Sequence, residues 1–127
     1  MQTLFATLIS FALLVQTAGA PGRVVNLALP RSLTANEGVS VELKLGVLAR
    51  GAEIVVETAS GKLVGVVSPY GIRAGEEAGT YTVPLPPEAI SNNRVSLRLT
   101  LKQGREKRTP TTKQIKEVRL QITPRAR

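Results

Sequence analysis

Residue types able to do covalent or proton-transfer chemistry are scarce in this chain. It has no His, no Cys and no Asp, so an imidazole base, a thiolate nucleophile and the usual zinc or iron–sulfur ligand sets cannot be assembled. A serine nucleophile would need Lys as its base. Ser60 and Lys62 stand near each other, but within Ala59-Ser60-Gly61-Lys62, a turn composition. Glu76 and Glu77 are the one adjacent carboxylate pair. Neighbours on an extended chain point opposite ways, whereas a glycosidase pair must flank a single bond. Gly61-Lys62 lacks the remainder of a phosphate loop: Val56 stands where the upstream glycine belongs and Leu63 where the hydroxyl belongs. Gly71, Gly75 and Gly79 recur every four residues outside any apolar 20-mer and read as a loop between strands. The expectation is a protein that is not an enzyme and needs no cofactor or metal.

Charge is where the sequence is uneven. Residues 1–93 hold 6 Lys+Arg against 7 Glu, and residues 94–127 hold 11 against 2, so the whole excess of +8 resides at the carboxy end. Arg98, Lys102, Arg105, Lys107, Arg108, Lys113, Lys116 and Arg119 are the candidate anion-binding residues. Gathered on one surface, such cations generate a field of several kT and draw anions to it.

The elements that must position them follow from period-two hydrophobicity. Val39, Val41, Leu43, Leu45 and Val47 alternate with Ser40, Glu42, Lys44 and Gly46, and Val95, Leu97, Leu99 and Leu101 alternate with Arg94, Ser96, Arg98, Thr100 and Lys102. Further strands are expected over 23–29, 53–58, 62–68, 81–85 and 118–122, with Ala59-Ser60-Gly61 turning a hairpin and Pro84 and Pro86 confining 81–85 to an edge. Pro87-Glu88-Ala89-Ile90 is expected to form one helical turn carrying the chain between sheets. Seven short strands in about 100 residues predict an all-β, two-sheet antiparallel sandwich. If 94–102 and 117–122 pair as a hairpin, their outward Arg98, Lys102 and Arg119 share a face with the cations of the link between them.

Residues 1–20 carry no charged side chain and an apolar run from Leu4 to Val15, the pattern of a secretory signal peptide. Its h-region of about a dozen residues is short of the roughly 20 that span a bilayer. Cleavage is expected after Gly19, leaving a single domain over 20–127 with no transmembrane span. The predicted location is periplasmic or extracellular.

The segment Ala78-Gly79-Thr80-Tyr81-Thr82-Val83 resembles the G-x-Y-x-V opening of a strand in bacterial immunoglobulin-like and filamin-like domains. The resemblance implies an immunoglobulin-like sandwich and no particular function. With Tyr70 and Tyr81 as the only aromatics beyond the leader, stacking platforms for bases or neutral sugars cannot be built, and export opposes a nucleic-acid role. The functional expectation is a binding module whose basic carboxy-terminal hairpin engages an anionic envelope polysaccharide or lipid surface. The alternative is an accessory subunit of an envelope protein assembly, docking an acidic protein patch or using its cations for solubility alone.

Overall fold

The two cleanest alternating stretches become the centres of two separate sheets. In the computed structural model, which describes residues 21–124, the strands are β1 (Arg23–Ala28), β2 (Glu37–Val47), β3 (Glu53–Thr58), β4 (Leu63–Val67), β5 (Glu77–Pro84), β6 (Ile90–Ser91), β7 (Arg94–Gln103), β8 (Glu106–Arg108) and β9 (Ile115–Pro124). The expected signal peptide and its cleavage position lie outside the described residues, as does the tail beyond Pro124.

One antiparallel sheet has the order β1-β7-β3-β4, with β6 and β8 as short additions beside β7; the other has the order β5-β2-β9. Val41, Leu43 and Leu45 of β2, Ile54 and Val56 of β3, Val95, Leu97 and Leu99 of β7 and Ile115 of β9 are almost wholly buried in one core shared by both sheets. This sandwich-like arrangement is what the alternation requires, since each one-sided apolar stripe must meet another. At about 1.5–3 kcal/mol per buried side chain, the four inward β7 residues contribute on the order of 6–12 kcal/mol, an upper bound given a partly collapsed unfolded chain. Gly65 is the inward residue of β4 that lets the sheets approach closely, because a Cβ there would stand 2.9 Å from Val83 Cγ1.

Pro87–Ala89 forms a single 3-10 turn between β5 in one sheet and β6 and β7 in the other, at the crossing expected from the proline. β5 lies at a sheet edge, as Pro84 demands.

The pairing of the two basic strands differs from the expectation. β7 is interior to its sheet between β1 and β3, and β9 pairs with β2 in the opposite sheet. Turn chemistry decides this. Gly104 at φ 62° followed by Arg105 makes a two-residue link that folds β7 directly onto β8, with Gln103 opposite Glu106. Positive φ at the first central position alone is the type II′ pattern, which matches the twist of the flanking strands. Because β7 is interior, Arg98 and Lys102 do not guard an exposed edge.

Candidate anion-binding surface

Register fixes which way each cation points. On β7 the residues Val95 to Leu101 of odd number face the core, so Arg94, Arg98 and Lys102 face outward. Lys102 lies opposite Lys107 of β8 on one side and opposite Glu53 of β3 on the other. Arg105 is the second residue of the exposed β7–β8 turn. Arg108 follows on β8 and points two nitrogen contacts of 3.2 and 3.3 Å at Glu106, both residues being well exposed. The hairpin 102–108 thus joins Lys102 and Lys107 on one outward face with Arg105 at the turn, whereas Arg108, opposite core-facing Leu101, takes the other face of β8 beside Glu106.

Arg98 is placed differently. The chain entering β1 passes over it: a Cβ on Gly22, whose φ is 133°, would lie 2.7 Å from Arg98 Cγ and 3.0 Å from Thr100 Oγ1. This close approach requires glycine and half-buries the arginine stem. Thr109 Oγ1 accepts the Gly22 N–H at 3.0 Å and holds the crossing in place. Arg98 and Lys107 then line a shallow groove of about 390 Å³ together with Val55, Glu57 and Thr100.

Of the remaining three candidates, Lys116 and Arg119 belong to the other sheet and Lys113 to the turn that leads into it. Arg119 of β9 lies opposite Glu42 of β2 and donates to its carboxylate at 2.6 Å, while Gln121 Nε2 donates to the second oxygen at 2.7 Å. The Glu42 carboxylate, by hydrogen bond first and by charge second, raises the Arg119 pKa above its ordinary value. Lys44 sits 3.9 Å from Glu117, and Lys116 is paired with Glu77 of β5 on the far side of β2, whose carboxylate is held below its usual range chiefly by that hydrogen bond. The outer face of this sheet is therefore a lattice of matched charges. Lys113 lies in the turn over Thr111–Gln114, and its carbonyl oxygen abuts Gly46 of β2.

Three of the eight sequence candidates, Lys102, Arg105 and Lys107, therefore meet on the outward side of the β7–β8 hairpin, and nothing in their spacing separates them from Arg108, Lys113, Lys116 and Arg119. The signal for separation is long-range, since Arg119 and Glu42 are 77 positions apart.

Strand register also sets the loops in space. The β2–β3 link, the β4–β5 link and the β7–β8 turn all leave at the same end, because Glu53 pairs with Lys102, Ile54 with Val67 and Val47 with Glu77. Arg50 and Arg73, which the sequence did not single out, therefore stand at the same pole as the basic hairpin. Among the described residues, no group of three or more carboxylate, His or Cys side chains could hold a metal ion. No helix there is long and apolar enough to cross a membrane. Comparison with protein-family models, with curated proteins and with solved structures returns no match.

Proposed function

We propose that the chain is an exported, non-catalytic binding module that holds an anionic polymer of the cell envelope on the β7–β8 hairpin. The observation that carries this reading is the placement of Lys102 directly opposite Lys107. Like charges across an antiparallel pair cost stability, and the cost is offset when an external anion lies across both. Arg105 at the turn extends the cationic contact along the hairpin, and the matched lattice of the other sheet leaves the excess charge on this side.

The same proposal takes the sandwich as a variant of the immunoglobulin-like type. Support comes from the β2–β5 and β3–β7 pairs. In immunoglobulin-type domains the first strand joins the sheet of the second and the last joins the penultimate; here β1 joins β7 and β9 joins β2. The terminal strands are thus exchanged.

The accessory-subunit reading is favoured by a separate observation. β4, Leu63-Val64-Gly65-Val66-Val67, is a sheet edge with neither charge nor proline, and Leu63 and Val66 are exposed. Such an edge accepts a strand from another chain.

Salt and substitution decide between the two. Lys102, Arg105, Lys107 and Arg108 changed together to Ser is expected to abolish retention on heparin with the thermal midpoint nearly unchanged. For the wild type, log K falls with log salt at a slope of about −2 to −3 for three charge contacts. Retention that survives the quadruple change, or that ignores salt, overturns the polyanion reading and leaves the β4 edge as the surface to pursue.

A further inference from the structure

A cavity of about 610 Å³ lies between the β2–β3 link and the β4–β5 link, at the same pole as the hairpin but lined by none of its residues. That is within the range of roughly 300–1,000 Å³ typical of small-molecule sites. Its wall is mostly apolar, with Leu48, Ala52, Ile72 and Ala78 among its residues, and it contains two cations, Arg50 and Arg73, and no carboxylate.

Both arginines are set by defined turns. Ala52 N–H donates to the Ala49 carbonyl at 3.0 Å with Gly51 at φ 80°, a type II turn that puts Arg50 at its corner. Arg73 opens a turn in which the Glu76 N–H donates to the Arg73 carbonyl at 3.0 Å and Glu76 Oε1 accepts the Arg73 N–H at 3.0 Å. Glu76 is thereby engaged with backbone, Glu53 accepts from Ser68 and Glu77 is paired with Lys116, and neither guanidinium has an ion pair among the described residues. At the rim Tyr70 is 87% exposed, a large ring left in water beside an apolar hollow.

We infer that this cavity is a binding site for a single-chain amphiphile with an anionic head. The alkyl body fills the hollow against Leu48, Ile72 and Ala78, the Tyr70 ring covers it, and Arg50 and Arg73 hold the head by charge-assisted hydrogen bonds. Charge complementarity selects this occupant. An uncharged alkyl chain would leave two guanidiniums beside an apolar body, and a small inorganic anion would leave the hollow unfilled. The site shares no residue with the β7–β8 hairpin and stands or falls independently of it.

The test is titration of the full chain, isotopically labelled, with sodium decanoate below its micellar concentration, read by amide chemical shifts. Expected are saturable shifts confined to residues 48–52 and 69–78 with a dissociation constant below about 1 mM, and none with acetate, which has the head without the chain. Arg50→Gln with Arg73→Gln is expected to weaken binding about tenfold or more, and Ala74→Trp, placed to fill the exposed mouth, to abolish it. If the tryptophan variant does not fold, the arginine pair decides. The Ser-substituted hairpin is expected to bind decanoate within about twofold of the wild type. Absence of shifts up to 1 mM, shifts centred elsewhere, equal binding of acetate, or indifference to the loss of both arginines overturns the inference.

Discussion

Lys102 and Lys107 face one another across the β7–β8 pair, two ammonium side chains on one outward face joined through a tight turn. If they serve to hold an anion, they pull stability and binding in opposite directions. Lys107→Glu converts a repelling cross-strand pair into an attracting one, and the thermal midpoint is expected to rise by about 1–4 °C. The same variant is expected to elute from heparin at distinctly lower salt. A midpoint that falls would show that the two side chains splay apart and never repel.

Glu42 makes the converse prediction. Its side chain is 15% exposed and accepts both Arg119 at 2.6 Å and Gln121 at 2.7 Å, so it withdraws Arg119 from any external anion. Glu42→Gln releases that cation on the β2–β9 face. The variant is expected to elute from heparin later than the wild type and to melt somewhat earlier, while Arg119→Ser in the parent is expected to elute nearly unchanged. Earlier elution of Glu42→Gln would mean that the internal pairs do not set which cations are available.

These contrasts mark where the sequence is informative. Alternation in Val39 to Val47 and in Val95 to Leu101 sets which side chains enter the core, and the structure buries Val39, Val41, Leu43 and Leu45 with Val95, Leu97, Leu99 and Leu101, leaving only Val47 at the strand end exposed. Alternation is silent on which strand lies beside which. It also cannot reveal β8, whose Glu106-Lys107-Arg108 has no apolar member and becomes a strand only because Gly104 turns it onto β7. β6 has the same origin: Asn92 and Asn93 at φ 54° and 59° form a two-residue turn opposite Ser91 and Arg94. The division of the basic residues between two sheets follows from these turns and from ion pairs made across long sequence distances. The cavity is illegible in the sequence because its arginines come from two loops that only the sheet register brings together.

Gly46 tests the β2–β9 register independently. A Cβ at this position would fall on the Lys113 carbonyl oxygen, a backbone atom that cannot swing aside, and the Gly46 N–H donates to the Gln114 carbonyl at 2.9 Å. Gly46→Ala is expected to cost about 1–3 kcal/mol and to lower the midpoint by roughly 5–15 °C. Gly38 lies in the same strand, where an added methyl group would meet nothing within 4 Å, and Gly38→Ala is expected to leave the midpoint unchanged or slightly raised. Equal effects from the two would contradict the bulged register at Lys44 and Leu45.

The pH response at the opposite pole is set by Glu37. Both of its carboxylate oxygens accept from Arg31, at 2.8 and 2.6 Å, and one also accepts the Thr34 N–H at 3.0 Å. The Arg31 hydrogen bonds, with the Thr34 amide next, lower the carboxyl pKa from 4.5 to about 2. A depressed folded-state value means that the ionised form is favoured by folding, so the contribution is complete above the unfolded value near 4.5 and disappears as pH falls toward about 2. Comparing thermal midpoints of the wild type and Glu37→Gln from pH 7 to pH 2 isolates it. The wild type is expected to melt a few degrees higher at pH 6–7, with the gap narrowing below pH 5 and closing near pH 2. Because Arg31 stands largely in water, the gap is also expected to shrink in 1 M salt, where the screening length is about 3 Å. A gap that is constant with pH would assign the effect to the shape of the glutamate side chain, and not to its charge.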